Sequence, residues 1–516
     1  MKTIGVIDIG TNSVRLAVER IDARNHDSTT LALAKEVVRL GEGEFSHNKI
    51  TPAAMERGIV VLKKFAEIAD RYNVSEVIAI ATAAVREALN KNEFVQRAKD
   101  EAGIDVKVVS GLEEARLIYL GVVSGVDLNC DRAMFVDIGG GTTELIVGDA
   151  KDYSLLDSVK LGAVRLADMF LTDRTGPISK KRYRKIVEYA QSASIHAARK
   201  ICDLGFDCAY GSSGTIMNLA EITAKRVDPG VTSIRNYEMK YSDLAETASI
   251  LCNLDLEGRR NIPGINPDRA DIIVSGAAIL DAVMTAAGAQ SIRVSDRALR
   301  DGVVIDHIFQ EDHIREEYLS HSTRQRSILQ LGRSCQFDEG HGKNVSRLAR
   351  SIFDQLKTLG VHDYGAGEQE LLRYAAFIHD VGTFISYSDH HKHSYYVTRN
   401  WNLLGFDDEE IEIVATIALC HRKLHPEKVR PQRLNAQRRK LVTALAAILR
   451  IADALDRSQL GLIREVVLTL ESGEKRLVVE LDASDDCPME LWAFESKRSL
   501  FQEAFGLDLV SRRFPV

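Results

Sequence analysis

Apolar residues along this chain fall into two textures. Over roughly the first three hundred positions, short apolar runs alternate with stretches of helical period. The pattern predicts strands at 2–9, 14–20, 76–83, 105–110 and 132–138, and in "YSLLDSVKLG", "FDCAYGSSG" and "SIRVSD". It predicts helices at 51–72, 86–102, 112–124, 178–204 and 267–288. The first of these opens with Thr51 at an N-cap position and Pro52 at the first helical position, where its missing N–H costs nothing. Strands alternating with helices indicate α/β lobes with mixed sheets. From 322 to 460 the period is helical almost throughout, which predicts a separate all-α domain. The last fifty residues predict a hairpin around Ser472-Gly473, a helix and a final strand, a small ββαβ subdomain. The expected boundaries are 1–127, 128–308, 315–463 and 464–516.

One of the strand ends carries unusual chemistry. "FVDIGGGTTELIVG" (135–148) sets Asp137 at the end of an apolar run, then removes every side chain for three positions. Gly139, Gly140 and Gly141, followed by Thr142, let a ligand approach the main chain. Exposed N–H groups in such a turn form an anion site. Asp137 and Glu144 beside it suggest a cation, since carboxylate and phosphate repel unless one bridges them. A tight hairpin with solvated acidic edges has the same composition. "GVIDIGTNSVRLAV" (5–18) repeats the pattern with Asp8, Gly10 and a turn of Thr11, Asn12 and Ser13. Two such units predict a duplicated domain whose hairpins face each other around a phosphate and its cation, with Asp8 as a further candidate ligand.

Other strand–helix junctions add candidates. In "VVSGLEEARLIYLGV", Ser110 sits at an N-cap and Glu113 is placed to complete a capping box. Glu114 is not needed for the cap and is the candidate general base, although it would also suit the helix dipole. Arg86 follows a buried strand and could hold a phosphate oxygen or simply be solvated. "GSSGT", with Gly211, Ser212, Ser213, Gly214 and Thr215, is a third small-residue turn suited to phosphate or ribose. Asp296, Arg297 and Arg300 read as surface or inter-lobe ion pairs.

Composition narrows the class without choosing the chemistry. The 516 residues include 67 basic and 74 acidic, a net charge of −7, which does not mark a general nucleic-acid binder. The seven cysteines form no Cys-x-x-Cys and predict reduced thiols in a cytoplasmic protein. A strand beginning at residue 2 leaves no room for a signal peptide, and no apolar run has the length of a membrane span. Against the acidic balance, "HRKLHPEKVRPQRLNAQRRK" (421–440) carries eight basic residues with Glu427 alone opposing them. Arg422, Lys423, Arg430 and Arg433 within it are candidate polyanion contacts; a solvated surface loop is the alternative.

The first three hundred residues resemble the exopolyphosphatase/guanosine pentaphosphate phosphohydrolase (Ppx/GppA) family. The resemblance rests on "VIDIGTNSVRL", "RLGEG", "ATAAVREALN", "SGLEEARLIYLGV", "VDIGGGTTEL", "KLGAVRL", "GSSGT" and "IPGINPDRADIIVSGAAIL", in that order. It implies two duplicated actin-like (ribonuclease H-like) lobes. It implies Glu114 as catalytic base, Asp137 and Glu144 at a divalent metal, Mg2+ or Mn2+, and Arg86 with the two hairpins on phosphate. The implied reaction is removal of terminal phosphate from inorganic polyphosphate or from guanosine pentaphosphate, by a cytoplasmic homodimer. Leu112 and Ala298 depart from the family pattern without touching a proposed catalytic atom. In the helical domain the order His341, His379-Asp380, Asp453 resembles the HD superfamily of metal phosphohydrolases, which implies a second divalent metal. His391, His393 and His421 also lie there. A non-catalytic alarmone or nucleotide sensor and a small-molecule kinase are the competing readings. Three acids beside a phosphate weigh against the sensor.

Overall fold

The computed structural model describes residues 2–513 except 23–26, 44–47, 129, 172, 313–321, 402, 404, 405, 423, 424, 427, 428, 430–433 and 472–474. Lys423, Arg430 and Arg433, and the Ser472-Gly473 turn, therefore lie outside the described residues. The chain divides into two compact units, Met1–His321 and Ser322–Val516.

The first unit contains two sheets of related design. In the first sheet are β1 (Lys2–Ile9), β2 (Ser13–Asp22), β3 (Asp27–Val37), β4 (Glu76–Ala81) and β5 (Val106–Val108), in the order β3-β2-β1-β4-β5. In the second are β6 (Ala133–Ile138), β7 (Thr143–Gly148), β8 (Tyr153–Val159), β9 (Cys208–Ser212), β10 (Glu238–Lys240) and β11 (Ser291–Val294), in the order β10-β11-β9-β6-β7-β8. In each, an antiparallel three-strand meander meets parallel strands on the far side of its first strand. β1 therefore corresponds to β6, β2 to β7, and β4 to β9. The duplicated α/β lobes expected from the repeated hairpin are present.

β3 is a strand that the hydrophobic pattern does not predict. It sits at a sheet edge, and Leu33 is exposed, so no buried run marks it. The helix expected at 86–102 is two helices, Ala83–Glu87 and Lys91–Ala102. Asn90 lies at the break, where its side chain accepts from the Ile50 N–H and donates to the Ile50 carbonyl, both at 3.0 Å. A tertiary pairing there overrides local propensity. The apolar helix expected from 267 is a 3-10 turn, Pro267–Arg269, followed by the helix Ile273–Ala287. Helix Pro52–Arg71 starts as expected, with the Thr51 hydroxyl accepting from the Ala54 N–H at 3.3 Å.

Helices Gly111–Gly125 and Leu299–Asp312 pack against each other between the sheets. Two glycines set their approach. A Cβ on Gly121 would stand 2.1 Å from the Ala298 carbonyl oxygen, and one on Gly302 would stand 1.7 Å from the Leu117 carbonyl oxygen. The core they share draws on both lobes, from Ile4 and Val6 to Phe135, Ile146 and Tyr210. Tyr119 meets Phe135 edge-on at 5.6 Å within it. One expectation fails in this region. Cys130 and Cys208 are joined as a disulfide, whereas spacing predicted free thiols throughout. The parallel pairing of β6 with β9, Ala133 beside Cys208, brings these distant positions together. The remaining five cysteines are not joined in disulfides.

The second unit is helical from Thr323–Ser334 to Ala436–Ala454 and ends in β12 (Ile463–Leu470), β13 (Arg476–Ala483), two short helices and β14 (Asp508–Arg513). β13 pairs antiparallel with β12 and parallel with β14. Its helices and sheet bury one continuous core, including Phe353, Leu372, Ile448, Leu477 and Phe494. Among the described residues, no helix is long and apolar enough to cross a membrane.

Candidate active site

The two glycine hairpins of the first unit meet. Each turn closes with the same bond, Gly10 N–H to the Ser13 carbonyl at 3.1 Å and Gly139 N–H to the Thr142 carbonyl at 2.9 Å. A Cβ on Gly140 would lie 2.7 Å from the Thr11 Cβ, so only glycine allows this contact. The turn carbonyls are held from outside. Thr11 and Asn12 carbonyls accept from the N–H groups of Val38, Arg39 and Gly41. Gly139 and Gly140 carbonyls accept from Ala163, Val164 and Arg165 at a helix start. Among the described residues, the N–H groups of Thr11, Asn12, Gly140 and Gly141 donate no backbone hydrogen bond. All four residues line a cavity of about 100 Å3 with Ser13, Gly139, Thr142, Asp8, Asp137 and Glu114. Unpaired N–H donors converging on a cavity are an anion site.

The carboxylates arrive by register. Asp137 on β6 stands opposite Glu144 on β7, which puts both on one face of the sheet. Asp137 also lies beside Ser212 on β9, whose hydroxyl donates to Oδ2 at 2.5 Å. Ser158 on β8 donates to Glu144 Oε1 at 2.8 Å. Burial pushes Asp137 up to about 6. It raises Glu144 well above the usual carboxylate range, with Glu114 and Asp137 adding to the rise. Burial also raises Asp8, against the pull of Arg15. Buried acids that raise one another's pKa are a site short of positive charge, and an all-oxygen donor set suits a hard divalent cation. The residues present therefore fit such an ion.

Glu114 lies in the first turn of its helix, in the cavity wall, and is 7% exposed. Arg86 Nη1 donates to its Oε2 at 2.7 Å and to the Val109 carbonyl at 3.2 Å. Burial outweighs this ion pair and pushes Glu114 up to about 7, with Asp137 and Asp8 also raising it. A carboxyl group titrating there can take a proton near neutral pH. Arg86 is thus engaged with the acid. Ser110 caps the helix by accepting from the Glu113 N–H at 3.1 Å, but the expected box is not closed. The Glu113 carboxylate turns instead to Arg116, at 2.8 and 2.9 Å.

The third turn divides. Ser213, Gly214 and Thr215 line the cavity, and Ser213 adopts a left-handed φ of 84°. Gly211 is buried, where a Cβ would lie 2.7 Å from Ile216 Cγ2, and Ser212 serves Asp137. Sequence reasoning missed two cavity residues, Arg15 and Arg269. A Cβ on Gly214 would meet the guanidinium nitrogens of Arg269 at 2.2 Å and of Arg15 at 3.2 Å, so this glycine makes room for both. Arg15 was within reach, because "DIGTNSVR" closes to a hairpin that sets it opposite Asp8. Arg269 comes from a distant 3-10 turn. Arg297 donates to Ser124 Oγ at 3.0 Å.

In the second unit, His341, His379, Asp380 and Asp453 come together. His379 Nε2 lies 3.6 Å from Asp380 Oδ2 and 3.5 Å from Asp453 Oδ1; His341 Nε2 lies 3.9 and 3.8 Å from the same atoms. His390, which the sequence reading passed over, and His421 reach the other oxygen of Asp380. Arg422 is half-buried, 3.4 Å from the His390 ring and stacked over Tyr387. Elsewhere in the basic stretch, Arg438 pairs with Glu409 at 3.2 Å.

Comparison with known proteins agrees with this architecture. The model of the Ppx/GppA phosphatase family matches residues 17–311. That of the Ppx/GppA phosphatase domain III, rather than an HD-type model, matches 323–498. A guanosine-5'-triphosphate,3'-diphosphate pyrophosphatase of Photobacterium profundum is 29% identical over 495 residues, 88% of this chain and 94% of that one. Among solved structures, an exopolyphosphatase from Cytophaga hutchinsonii has a TM-score of 0.56 at 30% identity, over 60% of this chain and 98% of that one. The Aquifex aeolicus member of the Ppx/GppA family has a TM-score of 0.51 at 25% identity, over 60% and 99%.

Proposed function

The chain belongs to the Ppx/GppA phosphatase family and is a phosphoanhydride hydrolase, and from that premise we propose that it is an exopolyphosphatase, releasing orthophosphate processively from the ends of inorganic polyphosphate. The observation that carries the reading is the contact of Thr11 with Gly140 beside an acid that titrates near neutrality. Two turns that touch leave room for a terminal phosphoryl group and little else. The free N–H groups of Thr11, Asn12, Gly140 and Gly141 hold its oxygens. Arg15 and Arg269, in the same wall, bear the charge of the chain behind it. Glu114 takes the proton from a water that attacks phosphorus in line with the leaving oxygen. Arg86 fixes the orientation of Glu114 and restrains its pKa from rising further. The family is divalent-metal dependent. Mg2+ held by Asp137, Glu144 and Asp8 would neutralise charge on the transferring group.

Glu114→Gln tests the assignment. Phosphate release from long-chain polyphosphate should fall by about 10²–10⁴-fold while polyphosphate binding persists. Near-normal turnover would remove Glu114 from the mechanism. A second reading, guanosine pentaphosphate 5'-phosphohydrolase, draws on the Photobacterium relative, whose similarity runs through both units. Parallel release assays on the two substrates decide between them.

We read the helical part of the second unit as HD-type, with one divalent ion on His341, His379, Asp380 and Asp453. The ligand atoms of His341, His379 and Asp380 lie within 4.8 Å of one another, and Asp453 Oδ1 stands 3.8 and 3.5 Å from the two imidazole nitrogens.

A further inference from the structure

The tripeptide Val-Arg-Leu stands behind each glycine hairpin, at 38–40 in lobe I and at 164–166 in lobe II. Both copies brace the turn in front of them. The Arg39 N–H donates to the Asn12 carbonyl at 2.9 Å, and the Arg165 N–H to the Gly140 carbonyl at 3.1 Å. Arg165 Nε adds a bond to the Gly141 carbonyl at 2.8 Å. Arg39 holds a left-handed φ of 53°, and Arg57 supports that bend by donating to the Val38 carbonyl at 2.8 Å. A residue with a side chain keeps such a backbone only where its surroundings impose it.

Both guanidinium groups then leave their own lobe. Arg39 Nη1 donates to Asp271 Oδ2 at 3.1 Å, and Nη2 to the Asp268 carbonyl at 3.4 Å. Those two residues flank Arg269. Arg174, from lobe II itself, also reaches Asp271, at 3.5 Å. In the other direction, Arg165 Nη2 donates to Glu87 Oε1 at 2.9 Å, and Lys160 stands 3.0 Å from Oε2. Glu87 directly follows Arg86, the partner of Glu114. The Asp271 and Glu87 side chains are only 14% and 15% exposed, so salt and solvent screen these pairs less than open surface pairs. The pattern is reciprocal: each bridge starts behind one hairpin and ends beside an arginine of the opposite lobe.

We infer that Arg39 and Arg165 are positioning residues that form a crossed pair of latches, each tying its own hairpin turn to the segment that carries an arginine of the other lobe. The inference rests on the roles read above for Arg269 and Arg86. The bridge from Arg39 fixes the 3-10 turn of Arg269, which bears the charge of bound substrate. The bridge from Arg165 fixes the short helix of Arg86, which aims Glu114. Closure of the two turns and placement of the two arginines are thereby one event, and small displacements of such groups are costly in rate.

Amide hydrogen exchange on the full chain, without substrate, tests both latches whichever phosphate chain the enzyme takes. Asp271→Ala should speed exchange at Val38, Arg39 and Gly41 in lobe I, and Arg39→Gln at Arg269 and Ala270 in lobe II. Glu87→Ala should speed exchange at Val164 and Arg165 in lobe II, and Arg165→Gln at Arg86 in lobe I. The effect lies across the cleft from each substitution, which local loosening does not produce. Wild-type exchange in the far lobe overturns that latch. Each bridge is probed from both ends, so a variant that fails to fold leaves its partner to decide. Kinetics on whichever of polyphosphate and guanosine pentaphosphate the wild type hydrolyses separates the two roles. Arg39→Gln and Asp271→Ala should each raise KM by about 3–10-fold, whereas Arg165→Gln and Glu87→Ala should each lower kcat by about 3–10-fold. The double variant of each bridge should be no worse than its worse single; losses that multiply within a bridge overturn it.

Discussion

The two glycine hairpins share a backbone and differ in what stands opposite the aspartate. In lobe I, Asp8 faces Arg15; in lobe II, Asp137 faces Glu144. Duplication therefore preserved the N–H cradle and split the charge. One hairpin adds a cation suited to phosphate, and the other adds a second acid suited to metal. A symmetric pair of acids would bind a cation without holding a polyanion, and a symmetric pair of arginines would do the reverse.

The comparison breaks most severely on the acidic side. Glu144→Gln should lower kcat by about 10²–10³-fold, with part of the loss recovered at high Mg2+, measured by phosphate release across a metal titration. The contact between the hairpins comes next. Gly140→Ala places a methyl 2.7 Å from Thr11 Cβ and should destabilise the closed cleft by about 1–3 kcal/mol, read as reduced kcat/KM and thermal midpoint. Gly10→Ala meets the Ser13 carbonyl of its own turn at 3.0 Å and Asp8 Oδ1 at 4.0 Å, and should cost less. Arg15→Gln should raise KM about 10-fold with a smaller change in kcat, because its charge acts on bound chain as well as on the transition state. The smallest effect is on pH. Glu114 must be deprotonated to act, so activity should rise with pH through an inflection near 7. Burial sets that position, with Arg86 pulling it down and Asp137 and Asp8 pushing it up. Removing one negative neighbour with Asp137→Asn should move the inflection of the residual activity down; an upward move would contradict the coupling.

Much of this was legible in the sequence because glycine and aspartate announce their geometry locally. "DIG" with a small polar turn fixes a hairpin, and the second copy fixes the duplication. What stayed hidden depends on register and on distant chain. Arg15 reads as an ordinary strand residue until β1 and β2 are paired. Arg269 and the break at Asn90 are set by partners far away in sequence. The box at Glu113 failed because Arg116, one helical turn on, competes for the carboxylate. The histidine run from His390 to His393 shows a cluster, but neighbours on a helix point about 100° apart, so only the fold selects His390.

Glu114 begins the helix that Gly121 and Gly302 lock against Leu299–Asp312, in the core that both lobes share. The proposed proton acceptor is thus mounted on the seam and belongs to neither half alone. On that assignment, separating the halves would take it out of line with one of the two turns. Hydrolysis by the proposed base would in this sense report closure.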